Sequence, residues 1–197
     1  RYAQYKRDPD LQAAHAACPW VMVWDDHEVE NDYAGAHPTT PLGADMAALR
    51  PAAFQAYWEH QPFPMALRPR GMDMRITGRL DWGRLARIHL LDTRQHRDPQ
   101  ACPPALRSSG SRTVFARDCG ALADPARSLL GPAQEQWLAQ GWSLDRPWNL
   151  LAQQTLMARF TSHADGRYWT DGWDGYPAAR QRLLATVAAR RVPGVVV

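Results

Sequence analysis

Five carboxylates crowd into eight residues, Asp25, Asp26, Glu28, Glu30 and Asp32, directly behind the apolar run Pro19-Trp20-Val21-Met22-Val23-Trp24. Like charges at that spacing repel one another unless something positive sits among them. On an exposed helix the repulsion would be mild and solvated. The run 19–24 reads instead as a short buried strand, so the first acids leave it in a low-dielectric corner and need a counter-charge. A helix starting near His27 would place His27 and Asn31 one turn apart and bring Asp25 and Asp32 near one face. Carboxylate, amide oxygen and imidazole are ligands for hard or borderline cations such as Ca2+, Mg2+, iron or Zn2+. The competing reading is a helix start dressed with acids to match its dipole. For any one of these acids alone that reading is the better one. For the whole Asp-Asp-His-Glu block with Asn31 behind it, a metal site is the better one.

The remainder of the chain alternates strand and helix signals, which points to an α/β fold. Helices are expected from Asp8 to Ala17 and from Ala44 to His60, the second with Pro51 inside it. A hairpin is expected from Arg75–Leu80 and Leu85–Asp92 around Asp81-Trp82-Gly83. A long loop runs from Asp98 to about Leu130. Gly131-Pro132 opens a helix, Trp148 to Gln154 is a strand, and Asp174-Gly175-Tyr176-Pro177 is a turn before an amphipathic helix from Ala178 to Arg191. Three of these strands run into polar groups at Asp25, Asp92 and Gln153. Ligand sites in open α/β sheets gather at that edge. Cys18 reads as a small buried residue before the first strand.

Composition excludes several classes. With 45% hydrophobic and 22% charged residues the chain is of ordinary globular type, and no apolar stretch approaches the roughly 18 to 20 residues of a membrane span. All 23 basic residues but Lys6 are arginine. That skew reads as a coding bias, and with no basic block the net charge of +3 gives no footing to a nucleic-acid binder. Arg1 opens inside a polar segment, and Val195-Val196-Val197 after Pro193-Gly194 reads as a buried strand just begun. Residues 1–197 are therefore expected to be the central part of one domain, cut at both ends.

Val23-Trp24-Asp25-Asp26-His27-Glu28-Val29-Glu30-Asn31-Asp32-Tyr33-Ala34 resembles the signature of PhoD-type alkaline phosphatases and phosphodiesterases. Further segments agree in the same order: Asp8-Pro9-Asp10-Leu11-Gln12, Leu91-Asp92-Thr93-Arg94-Gln95, Leu130-Gly131-Pro132-Ala133-Gln134-Glu135-Gln136-Trp137-Leu138, Trp148-Asn149 through Gln153-Gln154, and Asp171 with Trp173-Asp174-Gly175-Tyr176-Pro177 and Arg180. The resemblance covers essentially the whole chain. It implies a metallophosphoesterase-type sandwich of two mixed β-sheets flanked by helices, incomplete here, and metal-dependent hydrolysis of a small phosphate mono- or diester outside the cytoplasm, in the periplasm or secreted. It implies Ca2+ and Fe3+ as the metals. Asp25 or Asp26 would be a ligand, with Asn31 or Asp32 completing a cation site, and His27 would donate a proton or steady charge at the ester. Paired cations neutralise an anionic ester and lower the pKa of a bound water, and a histidine near its pKa can protonate the departing oxygen.

The family's upstream acid, tyrosine and cysteine, and its Gly-Asp-x-His segment, have no counterpart in this chain. On its own it is therefore expected to hold only part of the metal set, which keeps open a catalytically silent scaffold as the alternative. The resemblance to an exported family also favours a disulfide between Cys102 and Cys119, worth about 3 kcal/mol by loop closure. Arg94 could clamp a phosphate, although an ion pair with Asp92 or Asp98 carries more weight. Asp171, Asp174 and Tyr176 could reach the rim of the site, with a turn at Asp174-Gly175 the plainer reading, and Gln154 could orient a ligand. His15, His37, His60, His89, His96 and His163 lack acidic companions and read as surface or satisfied core residues.

Overall fold

Two parallel crossovers organise the main sheet in the computed structural model, which describes residues 1–39, 45–160 and 166–197. The helices are α1 (Tyr2–Tyr5), α2 (Pro9–Ala17), α3 (Met46–His60), α4 (Pro132–Gly141) and α5 (Pro177–Arg190). The strands are β1 (Gly78–Trp82), β2 (Ala86–Leu90), β3 (Thr113–Val114), β4 (Trp148–Ala152), β5 (Tyr168–Trp169) and β6 (Val195–Val196). Four strands pair in the order β1-β2-β4-β6, and β3 pairs with β5 in a separate antiparallel ribbon. The predicted hairpin forms β1 and β2, with Leu80 opposite Ile88. β2 runs parallel to β4, and β4 parallel to β6. Parallel neighbours need long connections, and α4 and α5 lie in them.

Residues alternate across this sheet as strand geometry requires. Leu91 and Leu151 face a core shared with Leu138 and Trp142 of the α4 region and Leu183 of α5. The opposite face carries Trp82, Ala86, Ile88, Trp148, Leu150 and Val196 around a shallow apolar hollow. A second core joins Trp24, Phe54, Tyr57, Met74 and Ile76 beside α3. A third surrounds Cys119 with Ala101, Val114 and Leu122, and there Cys102 and Cys119 are joined by a disulfide.

Local signals place the helices well. Asp8 caps α2 by accepting from the Asp10 and Leu11 amides at 2.9 and 3.0 Å, and Asp45 caps α3 in the same way. Pro51 stays inside α3 without ending it. Ala44, expected at the start of that helix, and His163 lie outside the described residues.

Three expectations are corrected. The run 19–24 is extended but joins no sheet, and only Trp24 of it is buried. Its carbonyls are taken by side chains instead: Tyr57 Oη donates to Val23 O at 3.0 Å, and the Gln154 amide donates to Trp24 O. Apolarity marks what can be buried and says nothing of which strand will pair. Residues 26–32 form successive turns rather than a helix. Cys18 is exposed. The terminal valines do begin a strand, with Val195 and Val196 paired parallel to β4.

His89 sits fully buried on β2 between Trp137 and Trp142. Its Nε2 lies 3.3 Å from Asn149 Oδ1, and its Nδ1 has no hydrogen-bond partner among the described residues. Burial pushes its pKa down to about 4. The Asn149 contact opposes that shift, and Arg79 and Arg87 add to it. The unfolded chain therefore binds this proton more readily than the folded one. Stability is expected to be full above about pH 6.5 and to fall toward pH 4, by up to about 3 kcal/mol from this group. Urea midpoints across that range check it, and His89→Gln, which cannot take the proton, is expected to flatten the slope.

Candidate active site

Trp24 is the post on which the acidic segment turns. Its ring stacks on Phe54 with centroids 4.5 Å apart, and its indole Nε1 donates to Asp92 Oδ1 at 3.2 Å. The chain leaves the core at Asp25, and the next turns sort its five carboxylates. Glu28 accepts from the Asp25 amide at 2.8 Å, and Glu30 accepts from the Thr39 hydroxyl at 3.1 Å, so both serve their own segment. Asp25, Asp26 and Asp32 line one cavity of about 290 Å³ together with His27, Asn31, Arg94, Gln154, Thr155, Leu156, Trp169 and Asp171. His27 Nε2 lies 2.8 Å from Asn31 Oδ1. That contact, followed by the charge of Asp26, holds the His27 pKa above its ordinary value.

The counter-charge demanded by the acids is Arg94. Its side chain is about 1% exposed. Nη1 and Nη2 donate to the two oxygens of Asp171 at 2.9 and 2.8 Å, while Nε donates to Asp25 Oδ1 at 2.8 Å. Asp26 Oδ1 lies 3.8 Å from Nη2. Burial works against the charge on Arg94, but Asp171, then Asp25 and Asp26, outweigh it and raise its pKa. Asp171, with no exposed surface, also pairs with Arg97 at 3.1 Å and accepts from Gln100 Nε2 at 2.7 Å. Burial pulls the Asp171 pKa upward, and Arg97 and Arg94 hold it below the usual carboxylate range. Gln100 donates as well to Asp32 O at 2.7 Å, which closes the network back onto the acidic segment. Asp32 sits at φ 56, a left-handed conformation that aspartate tolerates. Its Oδ2 accepts from the Ser111 amide and hydroxyl at 3.0 and 2.6 Å.

The acid at the second strand end has a different task. Asp92 is buried, and its Oδ1 accepts from the Arg94 and Gln95 amides, each at 2.9 Å, as well as from Trp24. It shapes the turn that launches Arg94 and does not line the cavity. Gln154 accepts from the Thr93 hydroxyl at 2.8 Å and donates to Trp24 O, bridging the segments after β2 and β4. Gly175 brings Asp171 into place, since a side chain there would run into the Thr170 carbonyl.

The donors suit a hard cation in kind. One oxygen of each of three carboxylates is engaged: Asp25 by Arg94, Asp26 by the Asp32 amide at 2.7 Å, and Asp32 by Ser111. The second oxygen of each takes no hydrogen bond from a described residue. In number the donors fall short. Among the described residues no three His, Cys, Asp or Glu side chains converge closely enough to hold a metal by themselves.

The structure thus brings together Asp25, Asp26, His27, Asn31, Asp32 and Arg94, as the sequence suggested, although on turns rather than a helix. It corrects Arg94's partners: these are Asp171 and Asp25, not Asp92 or Asp98, and its fork is committed to carboxylates rather than open to a phosphate. Asp171 is the buried base of the network. Asp174 is held by Arg180 at 2.7 Å, and Tyr176 Oη donates to Asp98 O at 2.6 Å, both away from the cavity. Arg97, Gln100, Ser111, Thr155, Leu156 and Trp169 were not foreseen. They approach from more than 60 positions away or carry no local pattern.

These features define an α/β protein with an acidic, histidine-bearing site beside the segments that follow its central parallel strands. The chain belongs to the PhoD-like phosphatase family, whose model matches residues 1–197. It is 42% identical over 201 residues to alkaline phosphatase D of Bacillus subtilis (strain 168), covering all of this chain and 33% of that protein. A solved structure of PhoD matches with a TM-score of 0.85 at 40% identity, over 99% of this chain and 36% of that one. The chain therefore spans about a third of the length of the curated relative it matches. No helix among the described residues is long and apolar enough to cross a membrane.

Removing the charge of Asp171 leaves Arg94 and Arg97 facing each other without it in a buried site. Asp171→Asn is expected to destabilise the fold by about 3–5 kcal/mol. Arg94→Met in the same background is expected to recover part of that loss. Urea unfolding of the two variants beside the parent protein checks both.

Proposed function

We propose that the protein at the length of its relatives hydrolyses small phosphate mono- or diesters outside the cytoplasm, as a metal-dependent alkaline phosphatase or phosphodiesterase. The observation that carries this reading is the meeting of Asp25, Asp26, His27, Asn31 and Asp32 in one cavity, in a chain 42% identical to an alkaline phosphatase. Asp25 or Asp26, with Asn31 or Asp32, would hold a cation, and Ca2+ with Fe3+ is the set that the family resemblance implies. When bound, the metals neutralise the ester and make water acidic enough to attack phosphorus. His27 lies on the open side of the cavity with its pKa raised. It can give a proton to the departing oxygen or hydrogen-bond a phosphoryl oxygen. Arg94 holds Asp25 through the Nε hydrogen bond, a positioning role rather than a grip on substrate.

The donors present here fall short of a full metal shell. The alternative reading is a catalytically silent fragment or binding module that keeps the phosphoesterase scaffold. Metal analysis separates the two.

Protein of the relatives' length is expected to cleave p-nitrophenyl phosphate or its bis-ester at alkaline pH. Chelator is expected to abolish the activity and Asp26→Ala to lower kcat/KM at least about a hundredfold. Turnover that survives both treatments would overturn the metal-dependent reading.

A further inference from the structure

The cavity is chemically lopsided. Its lining joins the charged and polar groups of Asp25, Asp26, His27 and Asn31 to the apolar side chains of Leu156 and Trp169. These two are the large apolar side chains of the lining, and they stand 56% and 44% exposed. β5 accounts for the direction of Trp169. Tyr168 packs into the core around the Cys102–Cys119 disulfide, and strand alternation then turns Trp169 to the other side. The backbone that carries the ring is held by the ribbon. Trp169 pairs with Thr113 across the ribbon, and the next residue donates from its amide to Arg112 O at 2.9 Å. Gly172 lies beneath. A Cβ added there would meet Trp169 Cε3 and Cζ3 at 3.5 Å and the Leu156 carbonyl at 3.8 Å, so the indole and Leu156 border the same bare stretch of backbone. Two residues after the ring comes Asp171, clamped by Arg94. The apolar surface is therefore tied to the charged wall through one short segment.

We propose that Trp169 and Leu156 form an apolar subsite for a flat aromatic leaving group of the phosphate ester, with the phosphoryl end at the wall of His27 and Asn31. This rests on the phosphoesterase reading above and adds the substrate class to it. Hydrolysis breaks the bond between phosphorus and the leaving-group oxygen. Water supplies the new oxygen on phosphorus, and a proton goes to the departing oxygen. Only the organic half of the ester is free to vary, and the indole and the Leu156 side chain are shaped to hold it.

The test uses protein of the relatives' length with phenyl phosphate and glycerol phosphate, each also offered as its diester. Trp169→Ala is expected to lower kcat/KM for the phenyl esters about tenfold, most of it in KM, and to lower it much less for the glycerol esters. Trp169→Phe is expected to restore most of the loss. Leu156→Ser, an exposed position, is expected to show the same selective fall at smaller size, and it stands in if Trp169→Ala does not fold. Equal losses on both esters, or no loss on either, would overturn the subsite while leaving the phosphoesterase reading intact. A parent protein inert toward every ester would overturn both.

Discussion

The two-pronged ion pair between Arg94 and Asp171 is the contact on which the site depends. Both groups are buried, and neither charge is tolerable there without the other. Arginine suits the position because its fork matches a carboxylate and it keeps its proton at any accessible pH. Its third side reaches Asp25, so a single guanidinium links residues 25, 94 and 171. Arg97 and Gln100 extend the link to Asp32. The crowding of acids that makes residues 25–32 so improbable as a simple surface segment is relieved from beneath, by a cation nearly seventy positions along the chain. The arginine excess, read from composition as a coding bias, includes Arg50, Arg94 and Arg97 as buried structural charges.

The sheet explains why these residues meet. β2 and β4 run side by side in the same direction, so the segments after them emerge at one edge. Arg94 follows one strand and Gln154 the other, with Gln154 bridging to Thr93 and to Trp24. Trp24 is itself fixed by Phe54, Tyr57 and Asp92. The acidic segment thus reaches the edge without being a strand of that sheet. The β3–β5 ribbon approaches from another side and delivers Trp169 and Asp171 together. Charged and apolar walls of the cavity come from different parts of the chain.

Local chemistry made much of this readable in advance. The helix that begins at Asp8, the proline behind Gly131 and the hairpin around Trp82-Gly83 are short-range features, and each formed as expected. The acids, His27 and Asn31 were legible as a cluster because they are neighbours in sequence. The errors share a cause. The run 19–24 has a strand's composition, but its carbonyls are met by Tyr57 and Gln154 rather than by another strand. Cys18 looked buried because it preceded that run. Arg94 was assigned the nearest acids when its partners were distant ones.

The sequence by itself determined the α/β alternation, the helices after Asp8, Gly131 and Tyr176, the family and the patch of residues that bears the chemistry. All of these depend on interactions within a few residues, or on motifs contiguous along the chain. Only the tertiary structure decided which acids keep an oxygen for the cavity, which cation balances them, and which apolar side chains share the cavity with them. Those outcomes depend on pairs such as Arg94 with Asp171 and Gln154 with Trp24. Their side chains meet because the sheet brings distant segments to one edge, and no spacing along the chain encodes that approach.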